Sequence, residues 1–195
     1  AEAVQAKAIK AEPQVTALME SLQDGNSRLT GLEYRFKSTS SIENKMGRLL
    51  EQGYSLNGAA QDINDSLRYT FLIDENAYDG SVLSKLSAFT DNGYQIKYYN
   101  NAWGSGKTYQ GLNITLEDPT GMMIEVQFHT DASFNAKQTI NHTYYEISRS
   151  PLADQSIKNL SNEIQSLNQN IYVRNTGFSH NQYSINSAIA DYKGV

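Results

Sequence analysis

Arg35, Lys37, Ser38, Ser41 and Lys45 gather three cations and two hydroxyls in the stretch RFKSTSSIENK. No apolar run accounts for them, and the chain around them is acidic, with a formal net charge of −5. Ammonium, guanidinium and hydroxyl donors crowded in this way suit a phosphate group, which takes charge-assisted hydrogen bonds. The same residues also suit the solvated start of an ordinary helix, so taken alone the cluster keeps both readings. Downstream, IEVQFHT carries a second group. Strand alternation puts Glu125, Gln127 and His129 on one face and Ile124, Val126 and Phe128 on the core face. A positioned carboxylate can be a general base or a ligand for a hard cation, although Glu and Gln on a strand are more often a wet sheet face. Asp62 and Asp65 in DINDS, just before Arg68, are candidate metal ligands or plain turn residues. His142 and Tyr145, a helical turn apart, are either a ligand contact or a surface pair.

These groups must be placed by elements. The first segment, AEAVQAKAIKAEPQVTALMESLQDGNSRL, is rich in helix formers. Pro13 is expected to end one helix and open a second, which Gly25 stops. LEYRF reads as a short strand, and SSIENKMGRLLEQ as a helix capped by Ser40 or Ser41. SLRYTFLID alternates, with Leu67, Tyr69, Phe71 and Ile73 on one face and Arg68, Thr70 and Leu72 on the other. A helix over about residues 80–90 follows. Three strands come next, YQIKYYN, YQGLNITLED and MMIEVQFHT, the last two joined by the turn signal DPTG. That hairpin assembles a polar face bearing Tyr109, Asn113, Glu125 and Gln127. A helix is expected over Asp131–Arg149, and Pro151 opens another to about Asn170. The tail from residue 175 has little periodicity beyond a short helix. The expected class is α/β (α+β), a mixed, mostly antiparallel five-stranded sheet flanked by helices. One domain spans residues 1–195: N-terminal helices over 1–28, a core over 29–150, and a C-terminal helix and tail over 151–195.

Composition removes several chemistries. There is no cysteine, which excludes disulfides, thiolate metal sites and cysteine nucleophiles. Three scattered histidines do not make a zinc site. No stretch has the apolar length of a membrane span. The acidic balance argues against a broad nucleic-acid-binding face. Starting at Ala1, the chain reads as a segment of a longer protein, and its 13 tyrosines suit a secreted or delivered one.

In their order and spacing the motifs resemble the synthetase domain of the RelA/SpoT family, the alarmone synthetases. That family's ATP motif has Arg, Lys two residues on, Ser six on and Lys ten on, the places of Arg35, Lys37, Ser41 and Lys45, with Ile42 in an apolar slot. DINDSLRYTFLID resembles its Asp-to-Arg strand, TYQGLNI its Gly-Tyr-Arg-Ser-Leu-His strand, IEVQFHT its Glu-x-Gln-x-x-Thr strand, and KQTINHTYYEISR its closing helix. The similarity runs from Leu32 to Arg149. Here Thr108, Gln110 and Asn113 replace the family's Gly, Arg and His, and Asp62 and Asp65 stand six and three residues before Arg68. No His-Asp dipeptide is present, so the family's hydrolase half is absent. Ser133, Lys137 and His142 give the chain the look of the family's toxin branch.

The resemblance implies a nucleotidyltransferase-like synthetase fold and a pyrophosphokinase. Its reaction moves the pyrophosphoryl group of ATP to the 3′-hydroxyl of a purine nucleotide, using Mg²⁺. Arg35, Lys37, Ser38, Ser41 and Lys45 would bind ATP, while Tyr109, Asn113, Gln127 and His142 would bind the acceptor. Asp65 and Glu125 would hold the metal, with Asp62 in reserve, and Glu125, Asp65 and Arg68 would be catalytic. The substitutions in the acceptor motif turn the expectation towards adenine and a (p)ppApp-type product. The expected role is a delivered antibacterial toxin acting in the bacterial cytoplasm, with an immunity protein or antitoxin as partner. Two other readings stand beside it: pyrophosphorylation of the tRNA 3′ end, which would be this chain's one nucleic-acid contact, and a degenerate nucleotide-sensing or interaction module.

Overall fold

The computed structural model describes residues 1–194. Five strands form one mixed sheet in the order β1-β2-β5-β4-β3. They are β1 (Ser27–Thr30), β2 (Arg68–Ile73), β3 (Gln95–Asn101), β4 (Leu112–Glu117) and β5 (Met123–His129). Only β2 and β5 run parallel; the other neighbours are antiparallel. This is the expected fold class. The DPTG turn joins β4 to β5: Asp118 Oδ1 accepts from the Thr120 and Met122 amides, and Gly121 N–H donates to Asp118 O. One face of the sheet is apolar, with Tyr69, Phe71, Leu112, Ile114, Ile124, Val126 and Phe128 all buried.

The helices are α1 (Glu2–Ser21), α2 (Thr39–Glu51), α3 (Leu56–Gln61), α4 (Tyr78–Asp91), α5 (Asp131–Asn135), α6 (His142–Arg149), α7 (Gln155–Tyr172) and α8 (Ile185–Lys193). The break expected at Pro13 does not occur, and α1 runs through it. The proline forfeits a hydrogen bond to Ile9, which lies on the exposed side of the helix. Burial of Ala8, Val15 and Met19, and a 2.6 Å hydrogen bond between Thr16 Oγ1 and Tyr69 Oη, tie α1 to the sheet. Gly25 sits in the turn before β1 rather than stopping a second helix. LEYRF is not a strand. Residues Leu32–Tyr34 form a 3₁₀ turn, and only Phe36 pairs, bridging to Leu67. Strand β1 instead uses the residues just before it, where Ser27–Thr30 register against Ile73–Thr70. The cap of α2 is Ser38, whose Oγ accepts from Ser41 N–H, not Ser40 or Ser41.

Two regions differ from expectation where they approach the sheet's polar face. The helix expected over Asp131–Arg149 is broken: α5 passes into a π-helical turn, Ala136–Ile140, before α6 begins. Asn141 N–H reaches back five residues to Ala136 O, so one extra residue is accommodated there. Pro151 lies in a turn, and α7 starts later, at Gln155. Helix α7 buries Ser161, Gln165 and Gln169 and leaves Ile157, Leu160, Leu167 and Ile171 exposed. Its polar stripe is spoken for by the neighbours. Gln169 Nε2 donates to Thr108 O, Asn141 Nδ2 to Gln165 O, and Asn168 Nδ2 to Asn141 Oδ1. The tail is better ordered than its sequence suggests, because Ile185, Ala188 and Ile189 of α8 and Phe178 before it are buried in the core.

Candidate active site

The polar face of the sheet floors a cleft of about 660 Å³. The register of the strands lines up its floor. Arg68 of β2 stands opposite Glu125 of β5, Thr70 opposite Gln127, and Gln127 opposite Asn113 of β4. The walls come from α2, the π turn, α6 and the inner face of α7. Lys37, Lys45, Asp65, Arg68, Tyr109, Asn113, Glu125, Gln127 and His142 all line this one cleft. Arg35, Ser38 and Ser41 line a smaller adjoining recess of about 280 Å³, which shares Lys37, Asp65 and Arg68 with it.

Three hydrogen-bonded groups organise the cleft. In the first, Asp65 bridges two lysines: Lys37 Nζ is 2.7 Å from Oδ2 and Lys45 Nζ is 3.0 Å from Oδ1. Burial works against ionising Asp65, but the hydrogen bond from Lys37 and the charges of Lys45 and Lys37 outweigh it and hold its carboxyl below the usual range. Lys45 also donates to Asn64 Oδ1. Arg35 is set back from this group, paired with Glu12 of α1 at 2.7 Å and donating to Leu32 O. Buried Ile42 anchors α2 beneath these residues. Asp62 is elsewhere: it is the exposed C-cap of α3 and lines neither recess. Asp65 is therefore the carboxylate at the lysines.

The second group runs along β5. Lys137 Nζ donates to Gln127 Oε1 at 2.6 Å, and Gln127 Nε2 donates to Glu125 Oε1 at 2.8 Å. The lysine thus fixes which way the Gln127 amide points, and the amide fixes the carboxylate. The second oxygen of Glu125 has no protein donor among the described residues, which leaves it free for a proton or a cation.

The third group lies at the start of β4. Tyr109 precedes the strand rather than belonging to it, yet its hydroxyl donates to Asn113 Oδ1 at 2.6 Å. His129 is fully buried, with Nε2 2.9 Å from that same hydroxyl and Nδ1 2.8 Å from Ser133 Oγ. Because the tyrosine proton goes to Asn113, His129 must donate from Nε2 and accept from Ser133 at Nδ1. Burial, then the charge of Lys137, keeps His129 neutral by pushing its pKa well down, which agrees with that tautomer. Its Oδ1 so engaged, Asn113 lines the cleft. Gly111 makes this packing possible, since a Cβ there would lie 2.8 Å from the His129 ring and 2.9 Å from Tyr109 Oη.

His142 is exposed at the cleft rim, near Tyr145, whose hydroxyl accepts from Arg149 at 2.6 Å. Sequence reasoning left several lining residues out of the site: Tyr34, Arg48, Lys137, Asn141, Arg149, Gln165 and Gln169. Gln165 and Gln169 gave no signal, because apolar periodicity turns the eye to the other face of α7. The two carboxylates offer hard oxygen donors of the kind Mg²⁺ takes, and Mg²⁺ needs few protein ligands when phosphates supply the rest. Among the described residues no three acidic or histidine side chains gather into a cage, so any such ion would depend on phosphate oxygens.

No family model and no curated protein matches the chain in sequence. Solved structures match it in shape. A chain of the complex between the Type VI effector Tas1 and its immunity protein superposes with a TM-score of 0.59 at 20% identity, covering 87% of this chain and 96% of that one. A GTP pyrophosphokinase family protein from Streptococcus pneumoniae gives 0.53 at 15%, covering 87% and 84%. Small alarmone synthetase 1 from Bacillus subtilis, bound to its product pppGpp, gives 0.51 at 14%, covering 100% and 94%. The likeness is one of fold: this chain shares the fold of these proteins, small alarmone synthetase 1 among them.

Proposed function

We propose that this protein is an ATP-dependent pyrophosphokinase that moves the pyrophosphoryl group of ATP to the 3′-hydroxyl of a purine nucleotide, with adenine favoured. The observation that carries this reading is the single cleft in which the Lys37–Asp65–Lys45 group and the Arg68–Glu125 pair meet on the sheet's polar face. Such a transfer demands little covalent chemistry of the protein. It needs the two nucleotides held in line and the charge on the phosphates offset. Lys37 and Lys45 face the triphosphate, with Ser38, Ser41 and Arg35 in the adjoining recess. Arg68 offsets charge as the bond to the leaving group lengthens. Glu125, oriented by Gln127, takes the proton of the attacking 3′-hydroxyl at its free oxygen. Asp65 and Glu125 would hold Mg²⁺, which lends further positive charge at the phosphates. Tyr109, Asn113, Gln127 and His142 hold the acceptor. The NH₂ group of Asn113 offers donors where a base or ribose presents acceptors.

The role we infer is that of a toxin delivered into the bacterial cytoplasm and held in check by an immunity partner. The likeness to the Tas1 complex supports it, and among the described residues no helix is long and apolar enough to cross a membrane. Incubating the protein with ATP plus ADP, ATP, GDP, GTP or tRNA, and resolving products by mass, tests the reaction. Adenosine 3′-pyrophosphates should dominate in competition. A clear preference for GDP or GTP would overturn the adenine assignment, labelled tRNA would establish that acceptor instead, and no product with any acceptor would sink the kinase reading.

A further inference from the structure

Lys137 stands apart from the other cations of the cleft. Lys37 and Lys45 share Asp65, and Arg35 is held by Glu12. Arg48, Arg68 and Arg149 are exposed, so water serves them. Lys137 is half-buried, and among the described residues no carboxylate pairs with it. Its one protein hydrogen bond goes to the neutral Gln127 amide, and the ring of Tyr109 lies 5.8 Å from its Nζ. An ammonium has three donors, so this arrangement leaves capacity directed at the cleft. A buried charge that lacks a counter-charge is costly. Burial and then the positive charge of Arg68 push its pKa down to about 8, with Glu125 pulling the other way. The cost would be offset by a bound anion. The π turn that carries Lys137 is itself a rare conformation that concentrates at functional sites.

We propose that Lys137 is an anion-receiving residue, binding a phosphate group of the acceptor nucleotide beside Glu125. This rests on reading the cleft as a nucleotide site. One hydrogen-bonded amide, Gln127, separates the ammonium from the carboxylate at which the 3′-hydroxyl must lie. Two phosphate positions are within that description: a group on the 3′ oxygen, as in the product, or the 5′-phosphates of the acceptor. When a phosphate arrives, Lys137 keeps its bond to Gln127 and adds one to the anion, so acceptor binding and the aim of Glu125 are linked.

Equilibrium binding without ATP, so that no turnover occurs, separates these possibilities. Adenosine, adenosine 3′-phosphate and ADP are titrated into wild type, Lys137→Met and Lys137→Arg. A charge-assisted hydrogen bond is worth ~1.5–3 kcal/mol, so Lys137→Met should weaken one phosphorylated ligand by about ten- to hundredfold and leave adenosine unchanged. Lys137→Arg should recover part of the loss. Weakening of adenosine 3′-phosphate assigns the product position, and weakening of ADP the 5′ position. Equal affinities in wild type and Lys137→Met for every phosphorylated ligand would overturn the proposal. If wild type binds no nucleoside at all, the nucleotide reading fails first, and inorganic pyrophosphate becomes the probe. Weaker pyrophosphate binding by Lys137→Met then still supports the anion site, and unchanged binding ends it. Thermal melts check folding; Lys137→Gln replaces Lys137→Met if the latter melts early.

Discussion

Replacing Glu125 by Gln tests the centre of the proposed chemistry with little disturbance of shape. In the structure Glu125 Oε1 accepts from Gln127 at 2.8 Å, and a glutamine at 125 keeps an oxygen that can accept the same bond. Its backbone is held by Ile124 and Val126, both fully buried, and by Arg68 and Thr115 across the ladders. What the variant loses is the charge and the basicity of the free oxygen. A general base contributes ~10²–10⁴-fold, which corresponds to about 2.7–5.5 kcal/mol of barrier. Glu125→Gln should therefore fold like wild type, bind ATP, and turn over at one per cent or less, with no toxicity when expressed in bacteria. Gln127→Ala makes the informative partner. It deletes the amide that joins Lys137 to Glu125, leaving the carboxylate without its guide and the ammonium without its acceptor. One hydrogen bond to a charged group is worth ~1.5–3 kcal/mol, so a loss of about ten- to hundredfold is expected, smaller than that of Glu125→Gln. Both are measured as product formed from ATP and ADP at matched far-UV spectra and melting points. Turnover above a few per cent in Glu125→Gln would place the base elsewhere and refute the assignment.

Three further outcomes follow from other contacts. Lys37→Ala should raise the KM for ATP by about ten- to hundredfold, the weight of one charge-assisted phosphate contact, and unchanged ATP affinity would return the 35–45 cluster to solvated surface. Gly111→Ala would push a methyl into the His129 ring and Tyr109 hydroxyl, 2.8 and 2.9 Å away, and overpacking of this kind costs ~1–3 kcal/mol; a denaturation midpoint equal to wild type would show that the tyrosine–histidine pair yields freely. The third concerns pH. Lys137 faces Arg68, Glu125, Tyr109 and His129, and its ammonium is lost as pH rises through about 8, so affinity for phosphorylated acceptor should fall above that point in wild type and not in Lys137→Met. Its ordinary value is 10.5, so between about 8 and 10.5 the unfolded chain binds more protons, and this residue's contribution to stability rises with pH across that window.

Which side chains share a strand face is legible in the order of the residues. The two-residue repeat of a pleat leaves no freedom once a strand is recognised, so Glu125 and Gln127 were set against Ile124 and Val126 from the letters alone. The DPTG signal likewise joined β4 to β5, because an Asp side chain can close its own turn. Who meets whom across long separations depends on how the strands pair and the helices pack. Nothing local says that β2 pairs in parallel with β5, which brings Arg68 to Glu125, or that Asp65, ranked above Asp62 for its place next to the strand, takes both Lys37 and Lys45. Local signals also gave way where packing outweighed them. Pro13 disfavours helix by roughly 3 kcal/mol, yet burial of Ala8, Val15 and Met19 on either side carries α1 through it. On α7, apolar periodicity marks Ile157, Leu160, Leu167 and Ile171 for burial, but the polar stripe is inside, because Thr108 and Asn141 offer it hydrogen bonds at the cleft wall. Hydrophobic patterning reports what a helix can bury, while which face it does bury depends on partners more than twenty residues away in the chain, and those exist only once the sheet has formed.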